Sequence, residues 1–269
     1  MIYIKNTSCT YQKEIVVLTI DEMEILVGDL VFVIGKSGIG KSTLIESLGL
    51  MNKTFQVKNN GYTLYKHEDK ETDLNLLWKN IQDVSEFRQK NYSFLFQENN
   101  LLTHFTAGEN MMMGQLIKGI CKGEAQEYVY KLMEALNLER SVFEAKVFNL
   151  SGGQRQRVAF IRAISAPFNV LFADEPTGNL DNNTARKLFS ILKSELKNKK
   201  QSGIIVSHDI HLALQFGTNI YPIKSNENQK DSNGYTDKTL SIKKEGNDWV
   251  NINGDKIIDP VNYLNEFLN

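Results

Sequence analysis

The stretch Gly35-Lys36-Ser37-Gly38-Ile39-Gly40-Lys41-Ser42 fits a glycine, four residues, then Gly-Lys-Ser. It follows the wholly apolar run Leu30-Val31-Phe32-Val33-Ile34 and precedes a helical pattern carried by Leu44, Ile45 and Leu48. A strand apolar on both faces, a glycine-rich turn and a helix start are the context this pattern needs to act as a phosphate loop. Glycines let successive N–H groups turn toward phosphate oxygens, and the helix N-terminus adds partial positive charge. Gly35, Ser37, Gly38, Gly40, Lys41, Ser42 and Thr43 are therefore candidate phosphate contacts. Lys41 would reach the β- and γ-phosphates and Ser42 would give its hydroxyl to Mg²⁺.

Outward from the loop, further apolar runs read as strands: Met1 to Lys5, Ile15 to Ile20, Tyr92 to Phe96, Val170 to Ala173 and Ile204 to Ser207. Helical patterns separate them, which predicts an α/β fold with a mostly parallel sheet. Val129, Leu132, Met133 and Leu136 fall at i, i+3, i+4, i+7 and predict a helix over 122–138. The whole stretch from about 98 to 164 is patterned as helix, an insertion between two parts of the α/β core. Residues 225–234, SNENQKDSNG, read as a linker. Beyond it, 239–242 and 249–252 suggest a small hairpin, and Asp259-Pro260 suggests the start of a short helix with Val261, Leu264 and Leu268. The domain reading is thus 1–224 as the main domain and 225–269 as a linker with a small C-terminal appendage, whose removal is expected to leave activity largely intact.

Two more segments carry chemistry. The run Val170 to Ala173 ends in Asp174-Glu175, and strand side chains alternate, so the two acids cannot share one task. A magnesium-bound nucleotide needs one carboxylate at the ion and another to activate water, which assigns Asp174 to the metal and Glu175 to the general base. Leu150-Ser151-Gly152-Gly153-Gln154 places Ser151 as an N-cap ahead of a helix with Val158, Ile161 and Ile164. Free N–H groups, two glycines and a hydroxyl make either a second anion site or a plain helix-starting loop.

Composition narrows the rest. The 269 residues suit one large domain with an addition, and Lys plus Arg of 31 against Asp plus Glu of 32 excludes a dedicated nucleic-acid wrapper. No apolar run approaches the roughly 18 to 20 residues of a membrane-spanning helix, and no secretory signal is evident. Cys9 and Cys121 lie far apart, as free thiols in a reducing compartment do. Met111-Met112-Met113 fits a soft partner groove or helix packing equally well, and the lysine-rich 193–200 reads as a solvated helix face.

The order of these motifs resembles the ATP-binding subunit of an ABC transporter: the loop at 35–42, Gln97 after a strand, the LSGGQ stretch at 150–154, Asp174-Glu175, Asn179-Leu180-Asp181 and Ser207-His208-Asp209. The likeness covers about residues 1–222. FQENNLLTHFTAGEN at 96–110 and ADEPTGNLD at 173–181 are further similar to the branch with lipoprotein-releasing (Lol), macrolide-export (Mac) and FtsE-type ATPases. The resemblance implies a P-loop NTPase (RecA-like) core with an antiparallel β subdomain and an inserted helical subdomain. It implies ATP and Mg²⁺ as cofactors and a homodimer that sandwiches two ATP, with Ser151, Gly152, Gly153 and Gln154 facing the partner copy's nucleotide. Asp181 is then expected at the dimer interface, Tyr11, 24 residues before Gly35, against adenine, and Gln97 and His208 near the γ-phosphate, Gln97 also at Mg²⁺. Ile39 and Ser207 stand where serine and threonine are common.

The function implied is an ATPase that drives a separate transmembrane permease from the cytoplasmic face of the membrane, with no nucleic-acid partner. An FtsE-like ATPase that moves a signalling partner without a substrate is the alternative. A cassette working on DNA or ribosomes fits poorly, because Leu150 follows Gln97 by only 53 positions, which leaves no room for a coiled-coil arm.

Overall fold

The computed structural model describes residues 1–11, 15–178, 180–225 and 233–268, without the side chain of Asn59. Asn179 and most of the segment read as a linker, 226–232, lie outside the described residues. The chain divides into two compact units, one of residues 1–91 with 202–269 and one of residues 92–201.

The first unit opens with β1 (Ile2–Tyr11), β2 (Ile15–Ile25) and β3 (Leu30–Ile34), then α1 (Lys41–Leu48), β4 (Phe55–His67), β5 (Lys70–Asp73), α2 (Leu74–Leu77) and α3 (Ile81–Asn91). The second contains β6 (Tyr92–Leu95), α4 (Ala107–Ile117), α5 (Lys122–Ala135), two short 3₁₀ turns, α6 (Gly152–Ser165), β7 (Val170–Asp174) and α7 (Asn182–Lys199). The chain then returns to the first unit with β8 (Ser202–Val206), α8 (Ile210–Phe216), β9 (Asn219–Pro222), β10 (Lys224–Ser225), β11 (Gly234–Thr236), β12 (Ile242–Glu245), β13 (Asp248–Val250) and α9 (Pro260–Asn265).

In the first unit β3 lies between β8 and β9, parallel to both, and all five of its residues are buried. Burial on both faces is what an uninterrupted apolar run provides. Around β1 a second, largely antiparallel sheet runs in the order β10-β11-β2-β1-β4-β5. β1 and β2 outrun their apolar cores, to Tyr11 and Ile25, because each keeps a paired neighbour along nearly its whole length. In the second unit β6 pairs in parallel with β7, Leu95 opposite Ala173, and the helices of 107–165 fall between these two strands in the chain. α5 stops at Ala135, short of the expected 138, since Asn137 takes a left-handed φ of 51° that ends a helix.

The tail departs from the sequence reading. Residues 233–268 are strands and a helix of the first unit: β11 pairs with β2, and β12 pairs with β9, Ile242 opposite Ile220. The hairpin exists but sits later, 242–245 with 248–250. Asp237 caps a 3₁₀ turn over 238–240, accepting from Thr239 N, and so consumes the first expected strand. α9 begins as read, with Pro260 at its first position and Asp259 Oδ1 accepting from Asn262 N at 2.9 Å. Met111 and Met112 are buried in α4, which makes them packing residues. The lysine-rich face is tied locally: Lys199 pairs with Glu195 at 2.7 Å, and Tyr128 donates to the same carboxylate at 2.6 Å. Among the described residues no helix is long and apolar enough to cross a membrane.

Candidate functional site

The phosphate loop leaves β3 and winds into α1 with Gly38 at φ 78° and Gly40 at φ 103°, where Gly40 is the left-handed N-cap. A side chain at either position would be strained, so the glycine pattern is a backbone requirement. Ser37 and Ser42 are exposed, Lys41 is half-buried, and Thr43 turns into the core. Lys41 Nζ donates to the carbonyls of Gly35 and Lys36 at 2.7 Å each, folding its ammonium over the loop. Tyr11 is 38% exposed, which excludes core packing for it. Its hydroxyl donates to Glu46 Oε2 of α1 at 3.1 Å, so the ring stands beside the helix that the loop opens.

His208 joins this loop through sheet register. Val33 of β3 pairs with Val206 of β8, and Ser207 N donates to Val33 O at 3.2 Å, so Ser207-His208 emerges beside Ile34-Gly35. Ser207 is buried and its Oγ accepts from Asp209 N at 3.1 Å. Asp209 in turn caps α8 by accepting from Leu212 N at 2.9 Å. These bonds fix the turn and leave the His208 ring exposed.

In the second unit the parallel register of β6 and β7 brings Gln97, two residues past Leu95, to the same sheet end as Asp174 and Glu175, which follow Ala173. Glu175 holds φ at 44°, in the left-handed region a carboxylate residue rarely takes, and strained non-glycine residues cluster at functional sites. Sequence reading missed two supports. Gln156 Nε2 donates to Pro176 O at 2.5 Å, bracing the acid turn from α6. Arg162, mostly buried, donates to Asn99 O at 2.8 Å and Asn100 O at 2.7 Å, tethering the loop after Gln97. Only the amphipathic pattern of α6 hinted at them, since a polar residue on a buried helix face must find a partner.

Ser151 is the N-cap of α6 in a reciprocal box: its Oγ accepts from Gln154 N at 3.2 Å, and Gln154 Oε1 accepts from Ser151 N at 2.9 Å. Among the described residues outside the helix's own backbone, no atom comes within 4 Å of a Cβ added at Gly152, and Leu180 alone reaches that distance at Gly153, which leaves the first turn of α6 open to a close approach. Asp181 caps α7, with Oδ1 accepting from Asn183 N and Thr184 N at 3.0 Å and Oδ2 from Thr184 Oγ1 at 2.7 Å. The Thr184 hydroxyl, foremost, holds this carboxyl below the usual carboxylate range, and Asp181 stays exposed. The sites therefore form two sets: Tyr11, the loop and His208 in one unit, and Gln97, Asp174, Glu175, the α6 start and Asp181 in the other.

A family profile described as ABC transporter matches residues 18–178. The chain belongs to the ABC transporter family. It is an ATP-binding cassette of that family, and its activity is that of an ATPase. It is 37% identical over 213 residues to the lipoprotein-releasing system ATP-binding protein LolD of Wigglesworthia glossinidia brevipalpis, covering 78% of this chain and 88% of that protein. Against the macrolide export ATP-binding/permease protein MacB of Photorhabdus laumondii it is 34% identical over 221 residues, 82% of this chain and 32% of that longer protein. Among solved structures, a dimeric bacterial ABC transporter cassette superposes with a TM-score of 0.72 at 28% identity, covering 88% of this chain and 94% of that one. A dimeric post-hydrolysis state of the same cassette, bound to ADP and Pi, gives 0.71 at 29% identity, covering 82% and 93%. The cassette fold expected from the motif order is the one observed.

Proposed function

We propose that two copies of this chain close around two Mg·ATP and drive a separate membrane permease, with the cassettes held at the inner face of the membrane through that partner. One observation carries the reading. A chain with a single phosphate loop also carries a second open, capped helix start at α6, which has no use for its own nucleotide and suits that of a second copy. The dimeric cassette structures and the LolD and MacB relatives support the same arrangement, with release or export of a lipoprotein, peptide or drug as the transport class.

Within each site the loop amides and Lys41 would hold the β- and γ-phosphates while Tyr11 stacks on adenine. Ser42, Gln97 and Asp174 offer a hydroxyl, an amide oxygen and a carboxylate, a hard all-oxygen donor set that fits Mg²⁺. The ion would neutralise charge developing on the phosphate oxygens. Glu175 would take the proton of the attacking water, and His208 would hold a γ-phosphate oxygen by a hydrogen bond from its imidazole. Gln97 would orient that water through its amide. Ser151 and Gly153 of the second copy would complete the γ-phosphate pocket, and Asp181 would lie at the seam between copies.

Glu175→Gln tests this assignment. It should leave ATP affinity unchanged, slow turnover by about 10²- to 10⁴-fold and accumulate an ATP-dependent dimer in light scattering. Near-normal hydrolysis would remove Glu175 from the role of base.

A further inference from the structure

The phosphate loop is walled by stretches that lie far from it in sequence. A Cβ added at Gly35 would lie 2.8 Å from Ile223 O, and one at Gly40 would lie 3.1 Å from Val17 Cγ1 and 3.2 Å from Leu18 Cβ. The third wall comes from the tail. A Cβ added at Gly234, in β11, would overlap the carbonyl oxygen of Ile39 and come within 2.8 Å of Ile223 Cγ2 and 3.0 Å of Leu18 Cδ1. Ile39, buried in the middle of the loop, thus has its carbonyl against Gly234 of β11, while β2 and the segment after β9 close on the flanking Gly40 and Gly35.

β11 is itself fixed at three points. It pairs in parallel with β2, Gly234 opposite Leu18 and Thr236 opposite Ile20. Thr236 is fully buried and donates through Oγ1 to Pro222 O at 2.9 Å. Tyr235 donates to Asp21 Oδ2 at 2.9 Å. A loop whose amides must converge on one phosphate position needs such backing, because a wall displaced by about 1 Å can cost 10²-fold in a preorganised site.

We propose that Gly234 is a positioning residue for the phosphate loop: β11 lies directly against the Ile39 carbonyl, and the tail thereby sets affinity for Mg·ATP without touching the nucleotide. The inference rests on the reading that this loop takes ATP.

The test uses the full chain, with Mg·ATP titrated calorimetrically and steady-state ATPase measured alongside. Gly234→Ala should raise both Kd and KM by about 10- to 100-fold while kcat at saturating ATP stays within about twofold of wild type. Thr236→Val removes the anchor to Pro222 without changing side-chain volume and should raise KM by a smaller factor, about threefold. Thr236→Ser keeps the hydroxyl and should restore the wild-type KM. If Gly234→Ala fails to fold, the Val and Ser pair at 236 decides the matter. An unchanged KM in the folded variants, or Val and Ser behaving alike, overturns the proposal. Lys41→Ala run in parallel separates the two readings: retained affinity there sinks the loop assignment, whereas lost affinity with a normal Gly234→Ala sinks only the positioning role.

Discussion

Leu264→Ala decides whether the C-terminal residues belong to the cooperative core of the first unit. Leu264 is fully buried on α9, which packs on α8, the helix that follows His208. α9 has six residues, too few to be stable by itself, so its apolar contacts must hold it. Truncating a buried leucine costs about 2–5 kcal/mol, part transfer and part cavity. With a urea slope of about 3 kcal/mol/M for a unit of this size, the midpoint should fall by roughly 1 M.

Fluorescence can read that shift cleanly, since both tryptophans of the chain, Trp78 and Trp249, belong to the first unit. In a Trp249→Phe background the signal comes from Trp78 alone, in the N-terminal half of the unit. If β12, β13 and α9 fold with the core, Leu264→Ala lowers the Trp78 midpoint by the full amount. An unchanged Trp78 midpoint, with a separate early transition seen through Trp249 in the converse Trp78→Phe background, would refute the reasoning and restore the appendage. On the topology described, deletion of 225–269 should cost the fold of the first unit as well, because it strips β11 from β2 and β12 from β9.

Lys41→Ala should lose Mg·ATP affinity in an equilibrium titration, as its ammonium is the one side-chain cation within the loop beside Lys36; unchanged binding would count against the loop. The two thiols should label at very different rates. Burial pushes the Cys9 thiol up to about 12, only partly offset by a hydrogen bond with Ser47, whereas Cys121 is exposed. At pH 8 one thiol should react rapidly with a thiol reagent and the second only on unfolding. Two fast-reacting thiols in the folded chain would contradict the packing of β1.

Local pattern determined much of this protein. The run 30–34 is apolar on both faces and bounded by turn glycines, so β3 appears with the bounds the residues suggest. The Gly-x₄-Gly-Lys-Ser spacing dictates a loop and helix start, and Ser151 with Gln154 three residues on dictates a capped α6. Each of these signals is complete within a few residues. What the tertiary structure decided involves partners far apart in the chain. The residues of β11 and β12 contain little that names β2 and β9 as neighbours, because strand pairing is set by packing and register and not by propensity. Gly234 reads as an ordinary loop glycine until β11 brings it against Ile39, 195 residues earlier. Arg162 and Gln156 likewise acquire their roles only when the backbone carbonyls they meet have been folded to within reach.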